Sequence, residues 1–162
     1  MNDVGRCMFG VGALLQFEES SEILLLKRAP AHSNFNRDKW ELVFGRKAQF
    51  EPILAGLDRE IREELGPVKY EVVRTLRMWH FFRGERTAEN EIIGVTFWCR
   101  TSQRDFTLGD EHTELRWVAP DQALELITVE GIREDVSAFA SRGTPGGGAL
   151  LLSTLDGKLV SL

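Results

Sequence analysis

Cysteine is nearly absent from this chain: 162 residues hold two, Cys7 and Cys99. They stand far apart with no metal-ligand spacing, which argues against a thiolate metal site and against a disulfide framework. Both sit in apolar, strand-like runs and are expected to be buried free thiols. Long apolar stretches are missing too, and none approaches the roughly 18 residues of a membrane span. The segment Met1-Asn2-Asp3-Val4-Gly5-Arg6 lacks the basic start and apolar core of a secretion signal, so the expected location is the cytoplasm. Positive charge is not in excess: 20 Lys and Arg face 25 Asp and Glu, a net −5. That balance gives no electrostatic reason to expect a DNA or RNA backbone as partner. No internal repeat or linker divides the chain, and residues 1–162 are expected to form one domain.

What remains is 43% hydrophobic and 28% charged, the composition of a soluble globular protein able to bury a core. One stretch departs from this background. Between Gly45 and Gly66 the chain passes Glu51 and reaches Arg59-Glu60-Ile61-Arg62-Glu63-Glu64-Leu65-Gly66. On a helix turning about 100° per residue, Glu60, Glu63 and Glu64 share one arc. Three clustered negative charges repel, so a helix face gains nothing from them unless a cation sits between them. Carboxylate oxygens are hard ligands that suit Mg²⁺, and Mg²⁺ bound this way usually also holds a substrate phosphate. The run therefore reads as a magnesium site for phosphate chemistry. The plainer alternative is a solvated helix face laced with Arg–Glu pairs.

The spacing is Gly, five residues, Glu, seven residues, Arg-Glu-Ile, one residue, Glu-Glu, one residue, Gly. It resembles the motif of the Nudix hydrolases, enzymes that cleave a nucleoside diphosphate linked to another group. Gly45, Glu51, Arg59, Glu60, Glu63, Glu64 and Gly66 fill its specified positions. Phe44 and Phe50 stand where glycine is common, and Pro67 where an aliphatic residue is usual. Phe takes φ > 0 less freely than Gly, so the loop beside the diphosphate is expected to have its own shape and substrate fit.

The resemblance implies an α/β fold, an α/β/α sandwich with a mixed sheet between helices. It implies an Mg²⁺-dependent pyrophosphohydrolase, with Mn²⁺ as a substitute, acting through metal-activated water on a nucleotide-type substrate. A nucleoside triphosphate, a nucleotide sugar and a dinucleoside polyphosphate all fit. Glu60, Glu63 and Glu64, with the backbone carbonyl of Phe44, are the implied ligands; Gly45, Glu51, Arg59 and Gly66 are the implied supports. The same resemblance allows a homodimer, and it allows a nucleotide-binding sensor without turnover, against which the intact acidic triad argues. Isomerase chemistry on an isoprenyl diphosphate ranks last, since Cys7 and Cys99 do not suggest it.

Elsewhere the pattern predicts strands at 7–16 and 22–27 joined as a hairpin, a loop over 28–38, and a strand at 40–44. A helix is expected from near Pro52 to Gly66, with Leu54, Leu57, Ile61 and Leu65 facing a sheet. Strands at 70–82, 91–100 and 115–118 and helices at 120–127 and 131–141 follow. A loop at 144–148 and two weak strands around 156–157 end the chain. In the loop 109–114, Glu111 is preferred over Glu114 as the acid that assists the attacking water, and His112 has a suitable unperturbed pKa. An exposed acidic turn is the alternative. Arg46, beside Gly45, is the preferred phosphate contact, ahead of Lys27 and Arg28; exposed salt bridges are the default for all three. Trp79 and Phe81 are placed on one strand face and His80 and Phe82 on the other, as base-stacking or core residues. Trp40, ahead of the motif, is a further aromatic candidate.

Overall fold

The structure, a computed structural model, describes residues 5–31, 36–141, 151–153 and 159–161. Its first strands, β1 (Met8–Phe17) and β2 (Ile23–Arg28), form the expected hairpin, with Gln16 opposite Ile23. The expected strand at 40–44 is instead two, β3 (Trp40–Glu41) and β4 (Val43–Arg46). A break at Leu42 lets the chain change partners. Trp40 pairs with Lys27 of β2, whereas Val43 to Arg46 pair with Ala13 to Gly10 of β1. Gly45 is thereby inside the sheet.

α1 (Ile53–Leu65) starts after Pro52 and ends at Gly66, whose φ of 74° suits glycine. Leu57, Ile61 and Leu65 are buried as expected, but Leu54 is 55% exposed. It shares their angular position but lies in the exposed first turn of the helix. β5 (Glu71–Phe82) and β6 (Glu91–Thr101) are antiparallel, and β6 runs parallel to β1 along the whole of that strand. β7 (His112–Val118) begins ahead of the expected 115, because Glu114 and His112 pair with Lys27 and Arg28 of β2. α2 (Pro120–Leu126), α3 (Glu130–Ala140), β8 (Leu151–Ser153) and β9 (Leu159–Ser161) complete the fold. The loop at 144–148 and the turn at 156–157 lie outside the described residues.

The sheet order is β3-β2-β1-β6-β5-β8-β9, with β4 also on β1 and β7 also on β2. The two-residue period sorts its side chains. Val11, Ala13 and Leu15 pack with Leu57, Ile61 and Leu65 of α1. Leu14, Ile23 and Leu25 face the opposite layer, with Ala123, Val136 and Phe139 of α2 and α3. Helices thus cover both faces of a mixed sheet, the expected α/β/α sandwich. Cys99 is buried, but Cys7 is exposed because it precedes β1, and both thiols are free. Among the described residues, no helix is long and apolar enough to cross a membrane.

A polar chain ties α3 to the sheet. Arg77 donates to Asp135 at 2.6 Å and to the Gly131 carbonyl at 2.6 Å, and it pairs with Glu134 at 2.8 Å. Thr96 donates to the other Asp135 oxygen at 3.0 Å and accepts the Trp79 indole N–H at 3.1 Å. The Trp79 ring lies on Gly10 and Gly94, cross-strand partners whose added Cβ atoms would meet it at 2.3 and 2.2 Å. Gly94→Ala should displace this ring and cost about 1–3 kcal/mol, read as a lower denaturation midpoint; an unchanged midpoint would contradict the packing described.

Candidate active site

β4 and α1 meet where the motif requires glycine: a Cβ on Gly45 would sit 1.8 Å from the Glu60 carboxyl carbon. Arg59 organises the neighbouring acids. Its Nε donates to Glu51 at 2.9 Å, its Nη1 to Glu60 at 2.8 Å and Glu63 at 3.1 Å, and its Nη2 to the Arg46 carbonyl at 2.9 Å. Glu51 also accepts the Ala48 N–H at 2.7 Å. Phe50 holds the left-handed conformation, φ 64°, with its ring 93% exposed, whereas Phe44 lies in regular strand. Of the two replaced glycines, only the Phe50 position needed glycine's freedom.

The Arg59 guanidinium, followed by the Ala48 N–H, pulls the Glu51 carboxyl down to about 2 from 4.5. Its contribution to stability is therefore full above pH 4.5 and lost as the pH falls toward 2. Glu51→Gln should lower Tm at pH 7 and flatten the acid limb of the Tm–pH curve across that window. A variant curve parallel to wild type would show that Glu51 carries no such linkage.

Glu64 is in a different position from its neighbours. Glu60 is half-buried and Glu63 exposed, but Glu64 is buried and its Oε2 has no hydrogen-bond partner. Burial foremost, then the charges of Glu41, Glu60 and Glu111, push its carboxyl well above the usual range, although the Phe44 N–H donates to it. Glu111 lies beside it in space, held by Arg28 Nη2 at 3.0 Å, while Arg28 Nη1 holds the buried Glu41 at 2.7 Å. Arg28 is thus not the exposed salt bridge expected: its side chain is 15% exposed and braces two acids. His112 Nε2 is 2.9 Å from Glu41.

Glu114 pairs with Arg116 at 2.6 Å, Lys27 pairs with Asp38 at 3.0 Å, and Trp40 is buried beneath Lys27 and Arg116. None of Glu114, Lys27 and Trp40 lines the cleft. Glu41 was missed by sequence reasoning; its signal was a carboxylate inside an apolar strand. A cleft of about 1210 Å³ runs from Glu60, Glu63 and Glu111 past Gly45 and Arg46 to Trp79 and Phe81. Those two rings are 5.3 Å apart, and His80 and Phe82 pair at 5.5 Å, as the alternation placed them. Arg46 is exposed, and its Nη1 contacts the Met8 sulfur at 3.6 Å.

Among the described residues no three His, Cys, Asp or Glu side chains already converge as a metal site, and Arg59 engages Glu60 and Glu63. The feature that suits a hard cation of the Mg²⁺ kind is the unpartnered, buried Glu64 Oε2. The NUDIX domain family model matches residues 8–138. The chain belongs to the NUDIX domain family. This Nudix chain is similar to the MutT protein from Methanosarcina mazei Go1, with 25% identity over 88% of this chain and 100% of that one, TM-score 0.70. A NUDIX hydrolase from Nitrosomonas europaea aligns at 21% identity over 93% and 79% of the two chains, TM-score 0.73. A C. elegans Ap4A hydrolase aligns at 15% over 82% and 95%, TM-score 0.65. No curated protein matches the sequence. As a Nudix hydrolase, the protein belongs with enzymes that act on nucleoside diphosphate derivatives.

Proposed function

We propose that this Nudix hydrolase is an Mg²⁺-dependent pyrophosphohydrolase that cleaves the diphosphate linkage of a nucleoside triphosphate, nucleotide sugar or dinucleoside polyphosphate. Glu60, Glu63 and Glu64, with the Phe44 carbonyl, would hold the ion, and Mn²⁺ would substitute. The observation that carries this reading is Glu64. A buried carboxylate beside Glu41, Glu60 and Glu111, with one oxygen unpartnered, is held ionised only at a cost to the fold, which a bound cation would offset. Bound Mg²⁺ supplies Lewis acidity to the phosphoryl oxygens and lowers the pKa of water.

The chain's own groups do the rest. Glu111, oriented by Arg28, accepts the proton of the attacking water. The water oxygen bonds to phosphorus as the anhydride P–O bond breaks, and the leaving phosphate departs with the electron pair. Arg46, at the cleft beside Gly45, binds a phosphoryl oxygen. Trp79 and Phe81 offer the base an aromatic wall. The likeness to an Ap4A hydrolase supports keeping dinucleoside polyphosphates among the three substrate classes.

The test is product release from a nucleotide panel with Mg²⁺ and with chelator. Nucleoside triphosphates (oxidised ones included), ADP-ribose, other nucleotide sugars and diadenosine polyphosphates make up the panel. Metal-dependent cleavage that is lost in Glu64→Gln is the expected result, and the best substrate names the class. A folded protein that binds a nucleotide and cleaves none would replace this reading with that of a sensor.

A further inference from the structure

Two buried polar atoms at the root of the site lack partners, Glu64 Oε2 and His112 Nδ1, and they face each other at 4.0 Å. The His112 side chain is fully buried. Its other nitrogen, Nε2, is 2.9 Å from Glu41 Oε1, the oxygen that also takes Arg28 Nη1 at 2.7 Å. An ionised carboxylate only accepts, so Nε2 carries a proton and the ring is pinned by it. A histidine that merely filled the core would have both nitrogens satisfied. Here one end is anchored and the other is presented to an acid of the motif.

We propose that His112 is a positioning residue for metal binding. Anchored on Glu41, it separates that buried carboxylate from Glu64 and sets the direction in which Glu64 offers its oxygens to the cation. This rests on the reading of Glu64 as a ligand. The elements involved explain why a ring suits the place. Glu41 comes from β3, Glu64 from the last turn of α1 and His112 from the first residue of β7, so three separately packed segments converge on one imidazole. Without it, Glu41 and Glu64 would face each other across a gap. Outer groups that orient a ligand typically change metal affinity 10–100-fold when removed.

The test separates the two ends of the ring. A glutamine amide reaches the Nε2 place, and an asparagine amide reaches the Nδ1 place. His112→Gln should keep the bond to Glu41 and a near-native Tm, yet weaken Mn²⁺ binding about 10-fold or more. His112→Asn should lose the anchor to Glu41, and with it both Tm and Mn²⁺ affinity. Mn²⁺ binding is measured by EPR on the whole chain, with Glu64→Gln as the control for the ligand itself. If His112→Gln binds Mn²⁺ as wild type does, or if affinity merely follows Tm in both variants, the proposal is overturned.

Should either variant fail to fold, wild type decides. On titration with Mg²⁺, the His112 Nδ1 resonance in ¹⁵N NMR is expected to move more than Nε2, and no movement overturns the proposal. Wild type that binds no Mn²⁺ would overturn both this inference and the metal reading. Mn²⁺ binding lost in Glu64→Gln but intact in His112→Gln would overturn this inference alone.

Discussion

Glu64→Gln is expected to abolish turnover and, in the metal-free protein, to raise Tm. Loss of one charge from the ligand set should lower kcat by about 10²–10³-fold or more, the scale seen when a key electrostatic group of an active site is removed. The stability effect has the opposite sign. Glu64 is buried, its Oε2 is unpartnered, and its folded pKa is raised well above 4.5. The protonated form is therefore the one the fold favours. Its contribution is full below pH 4.5 and is lost as the pH rises through the folded pKa.

Glutamine is neutral at every pH and escapes that loss. At pH 8 with chelator, the variant should be more stable by about 1–3 kcal/mol, the cost of an unsatisfied buried group. For a chain of this size that is about 2–12 °C in Tm. The difference should vanish near pH 4 and reverse when Mg²⁺ is added. Calorimetry across pH, with and without Mg²⁺, reads all three. A variant less stable than wild type at pH 8 in chelator would show that Glu64 is not strained by its own charge.

Asp135→Ala should be the most destabilising substitution away from the cleft's acidic end. Arg77 has 2% of its side chain exposed and spends its nitrogens on Asp135, Glu134 and Gly131. Removing Asp135 leaves Arg77 with Glu134 and the Gly131 carbonyl and strips the acceptor from Thr96, which in turn holds Trp79. Breaking a buried pair from one side costs about 3–5 kcal/mol, or about 6–20 °C in Tm. The double variant Arg77→Met, Asp135→Leu should cost clearly less than the sum of its singles, because neither charge is then left alone. Additive losses would mean that the two residues do not act as a unit.

The sequence carried much of the fold because its signals are local. The apolar runs of β1 and β2, the polar break between them and the glycine after Leu65 each report on neighbours within a few positions. The expectations that failed depended on a partner strand. One strand at 40–44 became two because β1 and β2 pull on its halves, and β7 lengthened because β2 pairs with it. Leu54 has the right angular position for the core but lies in the exposed first turn of α1.

In the site, the sequence by itself determined the acidic helix, which follows from one helix period, and the motif resemblance implied Arg59 and Gly45 as its supports. That Gly45 lets Glu60 approach β4 was decided by the tertiary structure. Only the tertiary structure decided that Glu64 is buried while Glu63 is exposed, since helix spacing places both acids on one arc and says nothing of depth. It alone brought Arg28, Glu41, Glu111 and His112 to Glu64. Those residues come from distant parts of the chain, and a pairing between β2, β3 and β7 leaves no local period to read.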